Sequence, residues 1–411
     1  MCQTVPLLAG HAASKLLSFA GFVFVARALG PVAFGGFTFA FTLASLLMFI
    51  PSMGCDPFYT RDVSAGRASA RDLLGTVLVL KAAGGALFLA LFVGGVFLTT
   101  PEASAREASV YVGPAFVVLA IAQTWKAVLI TSGHPGTAGM VDVFQAGVFI
   151  AFIAVALPFW ATPAWAAAGF LASQVAGAGL GLAAVSTTTG LPRMTWGIAA
   201  ALRLLPATAP LAMIWFLGDL YLRVGAAILF YVHGSREAGL YAAPYRLVEG
   251  LYGVATVVCA TALPRLSRAW AAGGEPWRTE LWHALAAVGF LALGPVAAFV
   301  AVPNLLINSL YGPPYAEAAT TLAILAPGSL LLCVSAMIGV GLTSVGLEYA
   351  QLKVTGAALL VNLLTSWFLI PGLRGNGAAL ATAAAALTYL SIGGVVLHRR
   401  TRRVKPEGAS V

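Results

Sequence analysis

Four ionisable side chains set into two apolar segments carry the strongest chemical signal in this sequence. Between Asp219 and Glu249 an apolar helix holds Asp219 and Arg223, a short turn follows at His233 to Glu237, and the next helix holds Arg246 and Glu249. A charge at the centre of a membrane-spanning helix costs about 2.5 to 3.5 kcal/mol on insertion scales, so these groups must face protein or water rather than lipid. Trp215, Asp219 and Arg223 recur every fourth residue and share one face, which lets Asp219 pair with Arg223 one turn away. Tyr245, Arg246, Glu249 and Tyr252 form a second polar and aromatic stripe. A short turn makes the two helices antiparallel and puts both arginines at similar depth, and the reading places them in a shared aqueous cavity. The planar guanidinium fork suits phosphate or carboxylate.

These helices belong to a chain that is 60% hydrophobic and only 9% charged, a composition outside the soluble globular range. At roughly 20 apolar residues per crossing, spans are expected at about 7–29, 32–55, 74–99, 109–131, 138–158, 164–187, 207–231, 238–262, 281–302, 318–343, 350–370 and 375–397. The fold class is therefore an all-α membrane protein of about 12 transmembrane helices. The basic residues set its orientation. With the N-terminus inside, Arg61, Arg67, Arg71, Arg193, Arg203, Arg265, Arg268, Arg278, Lys353 and the tail from Arg399 to Lys405 fall on the cytoplasmic side. Arg27, Arg106, Arg236 and Arg374 fall on the other. Both termini are expected to be cytoplasmic.

The net charge of +9 is mostly this topological signal, so nucleic acid is not an expected partner. The basic tail reads as an anchor against anionic membrane lipid. Cys2, Cys55, Cys259 and Cys333 have no paired spacing, and the five histidines do not cluster, so neither a disulfide framework nor a metal site nor a cofactor is expected. Ala26-Arg27-Ala28 imitates a signal cleavage site, but no basic cluster precedes the apolar run, which reads as a retained span.

Two further cations lie inside spans. Lys15 shares a polar stripe with His11, Ser14 and Ser18 in the first helix, and Lys81 sits in the third; for both, lining a lumen and snorkelling to the surface remain open. The turn at Gly30 to Phe37 resembles the turn at Gly234 to Tyr241, with Gly30 matching Gly234, Gly35 matching Gly239 and Phe37 matching Tyr241. The offset is 204, close to half of 411 residues. Two six-helix halves fused head to tail follow, as parallel repeats because each half has an even number of spans. The expected organisation is a lobe over 1–190, a cytoplasmic linker over 191–206, a second lobe over 207–398 and a basic tail over 399–411. At the same offset Lys15 falls opposite Asp219, so the lobes carry opposite charge at that depth.

The run Ala26 to Gly35, the segment Gly239-Leu240-Tyr241-Ala242-Ala243-Pro244-Tyr245-Arg246, the following Leu263-Pro264-Arg265-Leu266-Ser267 and Leu310-Tyr311-Gly312 resemble the polysaccharide and O-antigen flippases of the multidrug, oligosaccharidyl-lipid and polysaccharide exporter superfamily. The resemblance implies alternating access in a bacterial inner membrane, with a polyprenyl-pyrophosphate-linked oligosaccharide moved from the cytoplasmic to the outer leaflet. It implies a cationic lumen, here Arg223 and Arg246 with Lys15 and Lys81. Trp215, Tyr245 and Tyr252 are candidates for sugar stacking, and Asp219 and Glu249 for ion coupling or charge pairing. A coupling H+ or Na+ and a glycan polymerase are partners the resemblance leaves open. Where the family often carries an acid two positions after the helix-seven arginine, this chain has Gly225.

Other classes fit less well. A cation-coupled multidrug exporter of the multidrug and toxin extrusion type would favour a net acidic cavity and an acid in the first helix, where this chain has Lys15. A membrane enzyme would need a sizeable outward loop for its catalytic groups, and the sequence has none.

Overall fold

The computed structural model describes residues 4–64, 66, 69–188, 198–271 and 275–403. Residues 191–197 of the expected linker, 404–411 of the expected tail, and Cys2, Arg67, Arg193 and Lys405 lie outside the described residues. In chain order the helices are α1 (Thr4–Leu47), α2 (Phe49–Ser52), α3 (Cys55–Ser64), α4 (Ala70–Thr99), α5 (Ala103–Thr131), α6 (Pro135–Ala156), α7 (Pro163–Thr188), α8 (Ile198–Ala271), α9 (Glu275–Ala301), α10 (Pro303–Leu310), α11 (Ala318–Ser344) and α12 (Glu348–Arg403). A single 3-10 turn, Pro313–Tyr315, joins α10 to α11.

Among the described residues, nine helical stretches are long and apolar enough to cross a membrane. Three of these, Gly10–Ser52, Leu211–Ala271 and Glu348–Thr401, run for 43, 61 and 54 residues, at least twice what one crossing needs. Each contains one residue off helical geometry: Gly30 (φ 69°, ψ 172°), Gly234 (φ 78°, ψ −174°) and Arg374 (φ 51°, ψ −130°). The three breaks divide three stretches into six, which gives the twelve spans that hydropathy anticipates. The expected multi-residue turns at Gly30 and Gly234 are thus single-residue breaks with nearly the same backbone angles. A positive φ is a conformation that glycine adopts without a Cβ clash, and Pro31 then opens the second span at a position whose N–H would have no intrahelical partner anyway.

The chain divides into two compact units, Met1–Arg223 with Gly234–Gly239, and Val224–His233 with Leu240–Val411. In the first, α1 packs on α6 and α5 on α7. Phe41 sits among rings from α5, α7 and the part of α1 that precedes the Gly30 break, 5.4 Å from Phe22, 5.1 Å from Phe116 and 5.1 Å from Phe170, in edge-on geometry. Such pairs contribute about 0.5 to 1.5 kcal/mol each beyond the area they bury. In the second unit α11 packs on α12 and α9, with Trp277 Nε1 donating to Ser344 Oγ at 2.9 Å.

Candidate functional site

The intramembrane charges resolve into pairs of very different character. Lys81, on α4, is fully enclosed, at 0% exposure. Its ammonium donates to Asp56 Oδ1 at 2.6 Å and Oδ2 at 2.8 Å, to the Ala120 carbonyl at 2.7 Å and to Thr124 Oγ1 at 2.7 Å. Thr124 Oγ1 in turn lies 3.0 Å from Asp56 Oδ1. Lys81 is therefore neither snorkelling nor lining a lumen, the two expectations for it: acceptors on α3 and α5 saturate its donors, because an enclosed ammonium must have acceptors on every side. Asp56 went unassigned in the sequence, although it is an acid among apolar neighbours at the end of the second span.

A second cluster in the same unit joins α6, α5 and α1. Lys126 Nζ donates to Asp142 Oδ1 at 2.7 Å, and His11 Nδ1 lies 3.5 Å from Asp142 Oδ2. His11 was expected to share a polar stripe with Ser14, Lys15 and Ser18. Ser14 is buried and bonds back to the His11 carbonyl at 3.0 Å, while Lys15 is exposed. Among the described residues no group of three His, Cys, Asp or Glu side chains could hold a metal ion.

On α8 the pairs anticipated from spacing are present and only partly covered. Arg223 Nε lies 3.9 Å from Asp219 Oδ1, with the side chains 21% and 39% exposed. Trp215, one turn earlier, is 67% exposed. In the second unit Arg246 Nη1 donates to Glu249 Oε2 at 2.8 Å, with exposures of 14% and 23%. Tyr245 does not offer the open ring expected of a sugar platform. It is buried and stacks on Tyr241 with centroids 5.4 Å apart and planes 23° from parallel. The ring of Tyr252 remains half-buried.

Elsewhere in that unit, Tyr311 follows α10 and lies within electrostatic reach of Arg246 and Glu249. Burial pushes its phenol up, with Arg246 opposing and Glu249 reinforcing the shift. A Cβ on Gly225 would stand 3.5 Å from Ser366 Oγ and 3.9 Å from Asn362 Oδ1. Ser366 Oγ donates to Asn362 Oδ1 at 3.0 Å. The position at which the resembled family often carries an acid thus lies beside two side chains joined by a hydrogen bond.

Twelve spans in two repeats, with charge pairs inside the spans and no strand among the described residues, define a polytopic membrane protein with the architecture of the MOP-superfamily transporters. The sequence matches the family model described as "Polysaccharide biosynthesis protein" over residues 3–270, and the chain belongs to that family. Similar solved structures include an inward-facing multidrug resistance MATE family transporter of the MOP superfamily, at TM-score 0.78 and 15% identity over 96% of each chain. The lipid II flippase MurJ in an inward closed conformation gives 0.76 at 12% identity, over 96% of this chain and 87% of that one. A MOP superfamily transporter from Pyrococcus furiosus, described as having a binding pocket of reversed polarity, gives 0.67 at 16% identity over 96% and 94%. At these identities the likeness is one of fold. No curated protein matches the sequence of this chain.

Proposed function

We propose that the protein flips a polyprenyl-pyrophosphate-linked oligosaccharide from the cytoplasmic to the outer leaflet by alternating access, for assembly of a cell-surface polysaccharide in a bacterial inner membrane. The observation that carries this reading is that Arg223 and Arg246 on α8 each keep part of the side chain exposed beside an acid, in a chain of the polysaccharide biosynthesis family. Each arginine has an acid within one helical turn, so its charge is tolerated in the membrane, and each remains partly exposed. A pyrophosphate competes with a carboxylate for a guanidinium because both match its planar fork. Lys15, exposed on α1, adds positive charge; Lys81, enclosed by Asp56 and Thr124, makes no contact with the ligand in this proposal. Trp215 offers an open ring for a sugar face. Asp219 and Glu249 keep the arginines neutralised when no substrate is bound, and release them when it is. The proposed scaffold is a lobe over 1–190 and a lobe over 207–398 with both termini cytoplasmic.

Reconstitution in liposomes with a fluorescent polyprenyl-pyrophosphate oligosaccharide tests this. Wild type should transfer the lipid between leaflets, and Arg223→Ala with Arg246→Ala should slow transfer by at least about tenfold, since truncating one member of a charge pair typically costs 2 kcal/mol or more. Folding is checked by the melting temperature of each variant. A second reading, ion-coupled export of cationic drugs, is favoured by the fold likeness to MATE transporters and by the 39% exposure of Asp219. Under that reading wild type would expel cationic dyes down an imposed ion gradient and leave the glycolipid where it is.

A further inference from the structure

Three backbones meet with almost no space between them where α1 and α8 break. A Cβ on Gly35 would stand 1.7 Å from the Ser235 carbonyl oxygen, and one on Gly239 would stand 1.9 Å from the Pro31 carbonyl oxygen. The contact is reciprocal under the 204-residue repeat: Gly35 corresponds to Gly239, and Pro31 to Ser235. On the other side of the same helix, a Cβ on Gly36 would stand 2.1 Å from Ser104 Oγ, at the start of α5. The residues Gly234–Gly239 consequently belong to the first compact unit, although the chain on either side of them belongs to the second.

One side chain closes this assembly. Glu102 holds the N-cap position of α5 but makes no side-chain bond to its own helix. Its carboxylate accepts instead from Ser235, from the backbone N–H at 3.2 Å and from Oγ at 2.7 Å. Ser235 is the first residue after the Gly234 break, so its N–H is one of the orphan donors of a helix start and points where an anion is stabilised by the helix dipole. Its counterpart Pro31 has neither donor. The repeat has therefore kept the glycine contact in both copies and added a charge-assisted tether in one.

We propose that Glu102 is a gating residue: its carboxylate latches the 234–239 tip of α8 onto the first unit, and release of the latch lets the tip leave with the α8 arms that flank it. This rests on the alternating-access reading above and names a contact that must break and re-form in each cycle. A tether of two hydrogen bonds to one carboxylate suits that role. It is strong while made, and it leaves on opening only groups that water can satisfy.

The test uses full-length protein in lipid nanodiscs, with spin labels at Val32→Cys and Val232→Cys, both exposed positions, read by pulsed EPR. Glu102→Ala should raise the ratio of longer to shorter label distances about tenfold, and Ser235→Ala, which keeps the backbone donor, about threefold. Amide exchange measured by mass spectrometry should rise in the peptide containing Ser235 while the rest of the first unit stays protected. The exposed Glu107→Ala is the control. Unchanged distances in folded Glu102→Ala would overturn the proposal, as would a uniform rise in exchange across the first unit. If Glu102→Ala does not fold, Ser235→Ala decides: a shift supports the latch and no shift overturns it. The readout needs no substrate, so a wild type that moves no glycolipid counts against the proposed function alone.

Discussion

The two copies of the repeat agree in backbone and differ in chemistry. Gly30 and Gly234 break their helices at nearly the same angles, and Gly35 and Gly239 make the same close approach. The charges, by contrast, are not shared. At the offset of 204, the first copy's Asp56, Lys81 and Thr124 meet Ala260, Leu285 and Gly328, while the second copy's Arg246 and Glu249 meet Thr42 and Ser45. Thr42 and Ser45 are buried, and Ser45 Oγ bonds back to the Phe41 carbonyl at 2.9 Å. Each half thus has an intramembrane ion pair where the other has neutral side chains. The first is sealed and held by several acceptors. The second is local, one helical turn long and partly open. The difference teaches that the two copies share a steric requirement, whereas their charges are placed independently, sealed in one half and partly open in the other.

If the sealed pair only fastens helices, copying the other half into it should do little harm, whereas breaking it should do a great deal. Asp56→Ala leaves the Lys81 ammonium enclosed without its carboxylate, which typically costs about 3 to 5 kcal/mol. A large loss of thermal stability in detergent is expected. Asp56→Ala combined with Lys81→Leu, the pair of residues found in the second half, should recover most of that loss, because well-packed apolar residues often replace a buried ion pair at no net cost. A double variant as unstable as the single one would break the comparison.

The open pair predicts the converse. Arg246→Thr with Glu249→Ser, which writes the first half's residues into the second, should change stability by about 1 kcal/mol or less, in line with a partly exposed, one-turn pair. Glycolipid transfer in liposomes should nevertheless fall at least about tenfold. Loss of stability without a specific loss of transfer would make this pair a fastener as well.

Much of this was legible in the sequence, for physical reasons that differ from feature to feature. Span number follows from hydropathy, because a bilayer imposes a length on every crossing. The repeat was readable from glycines whose missing side chains are required by backbone angle or contact. The Arg223 and Arg246 pairings were readable because their acids lie three or four residues away, a spacing fixed by helix geometry. Lys81 was not, since Asp56 and Thr124 are far from it in sequence and only the packing of α3, α4 and α5 brings them together. Glu102 and Ser235 are farther apart still, 133 residues. The stacking of Tyr245 on Tyr241 was hidden for another reason: a stripe at helical spacing says which residues share a face, not whether that face is covered.

The glycines allow the smallest and sharpest test. One substitution made at two sites of the same helical arm should change stability in opposite directions. At Gly239 a Cβ would stand 1.9 Å from the Pro31 carbonyl oxygen, and the resulting displacement should cost roughly 1 to 3 kcal/mol. Gly35→Ala should cost about the same, since the contact is reciprocal. At Gly250, farther along the arm, an added Cβ meets nothing within 4 Å and the residue is exposed. There alanine removes only the backbone freedom that glycine has in the unfolded chain, so Gly250→Ala should stabilise by about 0.5 to 1 kcal/mol. In the first copy this position is Leu46, a side chain buried at 8% exposure, so the repeat itself shows that a Cβ is tolerated at this point of the helix. Thermal unfolding of Gly35→Ala, Gly239→Ala and Gly250→Ala against wild type reads all three values. Equal effects at Gly239 and Gly250 would mean that the close approach of the two breaks does not constrain the fold, and the conserved half of the comparison would fail.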